Sequence, residues 1–512
     1  MRNSGETPRK LDLIPKFLGE PNYLPAVTEA FYQRVPLVVV TSDRSPYLLN
    51  QLETQKIDQR AIFGPVCKKE VTLPVVKTDD DEWYCSRLIN EAIIEMNNRG
   101  LGPVHINIPT TGDPTEYTCE QLPEVNRIDY YSEHTYLRQA NLIAKKLYNK
   151  KILVVFGENY KNIDSLIPLI DEFANKTGAV VIRDYISNFN YDNAILSYRI
   201  TESFGSNDFS QYIPDIVITL NNNILSNNLK RFLRENRKKI EHWCVDEAGV
   251  VRDVFKCLRI LIACENTVFF QEINKYLSNN KADLSYKNTW KSIQASTQFK
   301  EPDFSEIKIV KTLIDNIPDK AVLHTAILNS TRAYHLFETR KKLKSYSNIG
   351  ALGIDGCMST FIGHSFATDG LCFLVIGDLS FFYDMNSLGI SGIRNNVRIL
   401  LLNNGGGAEF HFNMGIENVP TLNDYISVKH NKVAKAWAES MGFRYLAARN
   451  SAEVEKNMNQ FVKECEKPIL FEVFSNMETD AEIVKGTLNS VKSVRSGKTI
   501  VKSTIKSILG RR

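Results

Sequence analysis

The sequence predicts an α/β protein of three doubly wound domains with mainly parallel sheets, and three observations carry that expectation. Short apolar runs rich in branched side chains, such as 35–41 (VPLVVVT), 151–156 (KILVVF) and 371–376 (LCFLVI), alternate with amphipathic segments of helical period. Polar, Pro-containing stretches at about 112–133 and 279–302 divide this alternation into three parts. The length, 512 residues, exceeds what one core covers, since single cores stop growing at about 250–300 residues.

In chain order, residues 1–20 give no element. A helix is expected over 22–34 (NYLPAVTEAFYQR), then strand 35–41, a turn at 55–59 (QKIDQ), helix 80–99 and strand 103–109 (PVHINIP), making a first domain of 1–111. The second domain, 134–277, is expected to hold helix 136–148, strand 151–156, helix 163–177 and strands 179–182 and 213–220 (IPDIVITL). Gly157-Glu158-Asn159 follows its first strand, but no GxGxxG does, so a structural Rossmann-like role is expected rather than dinucleotide binding. The third domain, 303–482, is expected to contain helix 307–314, strand 321–325, the stretch 347–359 (SNIGALGIDGCMS), strand 371–376, a helical crossover, strand 397–402, helix 432–441 and strand 468–473. From Thr479 the chain turns polar and basic; the tail, 483–512, reads as a solvated helix.

Composition narrows the function. Lys and Arg number 63 against 59 Asp and Glu, a net charge of +4, so no nucleic acid or other polyanion is implied as a partner. Nine cysteines without a CxxC pair argue against a disulfide framework and fit a reducing, cytoplasmic setting. No run of about 18 apolar residues is present, so no membrane span is expected, and the first residues lack the apolar core of a signal peptide.

The chemistry concentrates at 371–407. Two buried parallel strands are joined by a helical crossover; Gly377-Asp378 ends the first and Asn403-Asn404-Gly405-Gly406-Gly407 ends the second. Either signature alone is an ordinary turn. Asp378 and Asn404, 26 residues apart at the carboxyl ends of consecutive strands, together form an all-oxygen site suited to Mg²⁺ holding a phosphate group.

These residues resemble the diphosphate-binding domain of thiamine-diphosphate-dependent enzymes, whose signature opens with Gly-Asp-Gly and closes with Asn-Asn. Here the opening is Gly377-Asp378-Leu379-Ser380. That variant is similar to the 2-succinyl-5-enolpyruvyl-6-hydroxy-3-cyclohexene-1-carboxylate synthases of menaquinone biosynthesis, and more so to thiamine-diphosphate enzymes encoded with surface-polysaccharide pathways. The segments NYLPAVTEAFY, QKIDQ and GPVHINIP extend the resemblance over about 20–480. It implies Asp378, Asn404 and the Gly406 carbonyl as metal ligands, and Gly377, Ser380 and Gly405 as cofactor-binding residues. It further implies that Gly353-Ile354 lies beneath the cofactor, with Ile354 forcing its bent shape, and that Asn329 and Ser330 lie near the diphosphate. Gln55 would face the thiazolium and substrate, and His411, after the Gly-rich loop, would meet substrate.

The implied activity is a thiamine-diphosphate and Mg²⁺ dependent 2-oxoacid decarboxylase or carboligase, a lyase or transferase acting as a homodimer or homotetramer on a small-molecule 2-oxoacid. Two departures qualify it. The family's glutamate that activates the aminopyrimidine precedes the segment matched by NYLPAVTEAFY, where this chain has only about twenty residues and neither Glu6 nor Glu20 sits in a matching context. The first domain is therefore expected to be truncated, and a catalytically silent cofactor-binding paralogue is an alternative. Ile349 stands where the menaquinone enzyme, which uses isochorismate and 2-oxoglutarate, has a substrate-binding arginine, so that enzyme's own reaction is the other alternative.

Overall fold

A computed structural model describes residues 11–14, 20–54, 56–110, 120–121, 125–161, 163–202, 204, 209–278, 282–412 and 415–489, with side chains from 22 onward. The chain forms two compact units, Met1–Lys145 with Arg237–Tyr276, and Lys146–Asn236 with Leu277–Arg512. Every strand pair described is parallel and helices lie between the strands, which is the α/β class.

In the first unit a four-stranded sheet runs in the order Leu11–Ile14, Val38–Asp43, Val104–Pro109, Lys69–Thr72. Helix Asp79–Glu95 covers it with Leu88, Ala92 and the following Met96. Its start is fixed by a capping box: Thr78 Oγ1 accepts from the Asp81 N–H while Asp81 Oδ2 accepts from the Thr78 N–H at 2.9 Å. Four acidic residues in the first turn match the positive end of the helix dipole. Strands Asp129–Ser132, Leu258–Ala263 and Glu241–Val245 form a second parallel run. The first lies inside the stretch expected as linker 112–133, because Asp129–Ser132 gains backbone partners from Ile260–Ala263 that its own composition does not announce.

The second unit places Ile216–Leu220, Ile152–Phe156, Val180–Arg183 and Ile195–Leu196 side by side. It then builds a six-stranded sheet in the order Lys344–Ser347, Val322–Thr325, Cys372–Gly377, Val397–Asn403, Ile469–Phe474, Arg444–Ala448. Alternate residues of its central strands feed two cores, Phe373, Val375, Leu400 and Leu402 on one face and Leu374, Ile376, Ile399 and Leu401 on the other. That two-sided burial is why these strands read as continuous apolar runs. Helix Ser285–Ser296 replaces part of the expected linker 279–302; Tyr286, Trp290 and Ile293 form a buried stripe within a segment otherwise polar. A helix also spans 477–489, and its residues Asp480, Ala481 and Val484 are buried, so this first part of the expected solvated tail is packed; residues 490–512 lie outside the described residues.

Two buried groups stand out in the large sheet. Arg398, fully buried, donates to the carbonyls of Phe461 (2.8 Å), Asn395 (2.6 Å), Val397 (2.9 Å) and Lys463 (2.5 Å), so one guanidinium ends helix Ser451–Phe461 and anchors strand Val397–Asn403. His324 Nε2 lies 2.7 Å from His364 Nδ1, between Tyr346 and Phe361. Burial, and then His364, push the His324 imidazole down to about 3. Between that value and the ordinary 6.5 the unfolded chain binds the extra proton, so stability falls as pH drops through this window, by about 2 kcal/mol at pH 5. The melting temperature is expected to fall less between pH 7 and pH 5 in His324→Phe than in the parent, measured by circular dichroism.

Every described cysteine is a free thiol, and among the described residues no helix is long and apolar enough to cross a membrane.

Candidate functional site

Strands Cys372–Gly377 and Val397–Asn403 pair with Gly377 opposite Leu402, so the residues that follow each strand emerge side by side at the carboxyl edge. Asp378 opens helix Asp378–Tyr383 and is buried. Its Oδ2 accepts from the N–H groups of Gly405 (2.7 Å) and Gly406 (3.0 Å), and its Oδ1 from the Leu379 N–H at 2.6 Å. One lone-pair direction of Oδ1 is thereby left for another partner. The loop can wrap the carboxylate only with glycine: Gly405 and Gly406 have φ of 88° and 155°, and a Cβ at Gly406 would lie 2.8 Å from both Met477 Sδ and the Ser427 carbonyl. Gly377 differs, since its φ is −76° and a Cβ there would meet nothing within 4 Å. The space over the strand end is open.

Asn404 sits beside this carboxylate. Its Oδ1 accepts from the Gly406 N–H at 3.3 Å and its Nδ2 donates to Asp480 Oδ2 at 3.2 Å. The loop closes back through the Gly407 N–H to the Ser427 carbonyl and the His430 N–H to the Gly405 carbonyl. His430 Nε2 is buried without a hydrogen-bond partner, 3.5 Å from Asp378 Oδ2. The Lys432 N–H donates to His430 Nδ1, which sets the tautomer with its proton on Nε2, aimed at the carboxylate. Below the loop, fully buried Glu472 accepts from Asn403 Nδ2 (2.7 Å), the Tyr445 hydroxyl (2.7 Å) and the Ala434 N–H (3.1 Å).

Ser380 donates its hydroxyl to the Ile354 carbonyl at 2.5 Å, tying the helix start to the Gly353–Gly356 turn. Ile354 is half-buried against the sheet core, and Gly356, at φ 72°, precedes helix Cys357–Phe366. Asn329 begins helix Asn329–Leu336, whose flanking Leu328 is held at φ 62°, a strained value for a non-glycine residue. Asn329 Nδ2 donates to Glu306 Oε1 at 2.8 Å, and Ser330 is buried in the same turn.

A cleft of about 720 Å³ opens next to Asn329, lined by Glu306, Arg332, Ile349, Glu409 and Phe410 among others. Arg332 is paired with buried Glu409. Glu306 and Asp480 are both buried; burial raises both carboxyls, and each raises the other's neighbourhood further together with Asp378.

Asp378, Asn404, Gly405 and Gly406 are therefore in mutual contact, and Gly377, Ser380, Gly353 and Ile354 adjoin them. Asn329 and Ser330 lie at the cleft edge. His411 rests against Ser427, 3.2 Å from its Oγ, and is not among the cleft residues. Gln55 and Glu6 lie outside the described residues, and Glu20 is the first residue of helix Glu20–Tyr32. Sequence reasoning missed Glu306, His430, Glu472 and Asp480. Only Glu472 carried a local signal, a lone acid inside the apolar run ILFEVF. Among the described residues no trio of His, Cys, Asp or Glu could hold a metal ion, so the donors on offer are one carboxylate, one carboxamide and backbone carbonyls, the set a hard oxygen-seeking cation takes.

No protein-family model matches the chain. It is 36% identical over 487 residues to the 2-succinyl-5-enolpyruvyl-6-hydroxy-3-cyclohexene-1-carboxylate synthase of Bacteroides thetaiotaomicron, across 92% of this chain and 85% of that protein. The synthase of the same name from Bacteroides fragilis is 35% identical over 487 residues, with the same coverage. That of Porphyromonas gingivalis is 27% identical over 484 residues, across 91% of this chain and 83% of that protein.

Proposed function

The chain belongs to the family of 2-succinyl-5-enolpyruvyl-6-hydroxy-3-cyclohexene-1-carboxylate synthases, thiamine-diphosphate-dependent enzymes, and on that premise we propose a thiamine-diphosphate and Mg²⁺ dependent carboligase that decarboxylates a 2-oxoacid and joins the remainder to an acceptor. The observation that carries this reading is the oxygen pair of Asp378 and Asn404 beside the open space over Gly377. The chain's residues fit the cofactor's tail: an unfilled Oδ1 direction on Asp378, the Asn404 Oδ1 and the Gly406 carbonyl would hold the metal ion. Ser380, Gly377 and Gly405 would adjoin the diphosphate, with Asn329 and Ser330 nearby, and Ile354 would prop its middle. When bound, thiamine diphosphate supplies the electron sink for breaking the bond next to a keto group.

The chain's own contributions are binding and orientation. His430 Nε2–H adds a third donor direction toward Asp378 and so favours its charged form. Gln55 and His411 are proposed to face the substrate. The cleft offers Arg332 for an anionic substrate group, but Ile349 lines it with an aliphatic side chain that cannot clamp a carboxylate. That observation favours an acceptor different from the one the relatives' name implies, in surface-polysaccharide or related biosynthesis. The chain is proposed to act in the cytoplasm as at least a homodimer, with three α/β domains.

Incubation with Mg²⁺, thiamine diphosphate and a panel of 2-oxoacids is expected to release CO₂ with at least one of them, followed by an isotopic CO₂ assay. Absence of turnover across the panel, with cofactor bound, would favour the silent-paralogue reading. Formation of 2-succinyl-5-enolpyruvyl-6-hydroxy-3-cyclohexene-1-carboxylate from 2-oxoglutarate and isochorismate would instead assign the relatives' reaction.

A further inference from the structure

We propose that Asp480 is the positioning residue of the metal site: it turns the Asn404 carboxamide so that Oδ1 faces the Asp378 side, and through Glu306 it holds Asn329 in the same frame. This rests on the Mg²⁺ and thiamine-diphosphate reading given above.

A carboxamide presents two ends of nearly equal shape, and only its partners decide which end points where. Asn404 must present oxygen to a cation, since its NH₂ would repel one. Asp480 decides the matter from the far side. Its Oδ2 accepts from Asn404 Nδ2 at 3.2 Å and is itself steadied by the Ser475 hydroxyl at 2.6 Å. With the NH₂ so engaged, Asn404 Oδ1 shares the Gly406 N–H with Asp378 Oδ2, at 3.3 and 3.0 Å, which places the two oxygens on one side. The second oxygen of Asp480 accepts from the Glu306 N–H at 3.1 Å, and Glu306 Oε1 accepts from Asn329 Nδ2 at 2.8 Å. One carboxyl thus fixes two carboxamides that come from a strand end and a helix start.

Asp480 has no exposed surface, and a carboxyl group there is costly to bury. The apolar face of its helix, Ala481 and Val484, packs without it, so the core does not need an acid at this position. Outer partners that orient a metal ligand typically change metal affinity 10–100-fold when removed.

The test titrates Mg²⁺ into the full chain at saturating thiamine diphosphate by calorimetry, for the parent, Asp480→Ala, Asp480→Asn and Ser475→Ala, with the melting temperature of each taken in EDTA without cofactor. Asp480→Ala is expected to weaken Mg²⁺ binding about tenfold or more. Asp480→Asn, which keeps an acceptor oxygen opposite Asn404 Nδ2, is expected to recover at least half of that loss on a logarithmic scale, and Ser475→Ala to show a smaller loss in the same direction. An Asp480→Ala chain that binds Mg²⁺ within twofold of the parent overturns the proposal. Equal losses in Asp480→Asn and Asp480→Ala also overturn it, because they assign the effect to charge. If Asp480→Ala does not fold, Asp480→Asn and Ser475→Ala decide alone: parent-like affinity in Ser475→Ala together with a full loss in Asp480→Asn overturns the orienting role. A parent that binds no Mg²⁺ at all sinks the functional reading and this proposal with it, an outcome distinct from a parent that binds and a variant that is unchanged.

Discussion

Asp378→Ala is expected to remove Mg²⁺-dependent binding of thiamine diphosphate, raising the apparent Kd more than about 100-fold, beyond the range seen when only an outer partner of a metal ligand is lost. The carboxylate supplies the one full negative charge among the proposed ligands, and Mg²⁺ requires such oxygen donors in near-octahedral order. It also organises the loop: three N–H groups, from Leu379, Gly405 and Gly406, point at it. Asp378→Asn separates these roles. Its amide could still accept from one side but would set an NH₂ against the N–H groups of Gly405 and Gly406, so its affinity is expected to resemble that of alanine rather than of the parent. Calorimetry with and without EDTA, alongside the melting temperature of each cofactor-free chain, checks both statements. Parent-like affinity in Asp378→Ala would remove Asp378 from the metal site.

The second large effect is on stability. Glu472→Leu is expected to destabilise the second unit by about 3 kcal/mol, since a buried donor left without its acceptor costs about 1–3 kcal/mol and three donors lose theirs. Those donors are Asn403 Nδ2, the Tyr445 hydroxyl and the Ala434 N–H. The Tyr445 hydroxyl is pushed up by burial and then by Glu472 itself, so it stays a donor throughout the physiological range. Glu472→Gln keeps the volume but replaces one acceptor oxygen by a donor, and is expected to retain more than half of the loss. Thermal melting resolves the difference as roughly 5–10 °C for Leu, at 2–4 °C per kcal/mol for a body of this size. A shift under 2 °C in Glu472→Leu would show that the network contributes little.

The pair of strands that brings Asp378 to Asn404 was legible because both faces of each are buried, which leaves an uninterrupted apolar run, and because glycine is forced at Gly405 and Gly406 by backbone geometry. The edge strands Lys69–Thr72, Lys344–Ser347 and Arg444–Ala448 were not legible, since each is half polar and owes its conformation to a neighbour's backbone. Helix boundaries shifted by a few residues: helix 432–441 is observed as Lys435–Ser440, and helix 80–99 as Asp79–Glu95. The supports of the site were invisible for a different reason. Asp480 meets Asn404 across 76 residues and Glu306 across 174, and nothing in the polar segment around Asp480 marks it as buried. Periodicity reports which face of an element is inside; it does not report which distant polar group an acid will find there.

The guanidinium of Arg398 joins strand Val397–Asn403 to carbonyls 63 and 65 residues later, and the same strand's far end depends on Glu472 and Asp480. During synthesis, then, the Asn404 loop leaves the ribosome well before the residues that hold it in place. A nascent chain released anywhere before about residue 480 would contain the complete Asp378 to Gly407 segment and still lack its geometry, so ligand affinity would report completion of the chain and not merely presence of the loop.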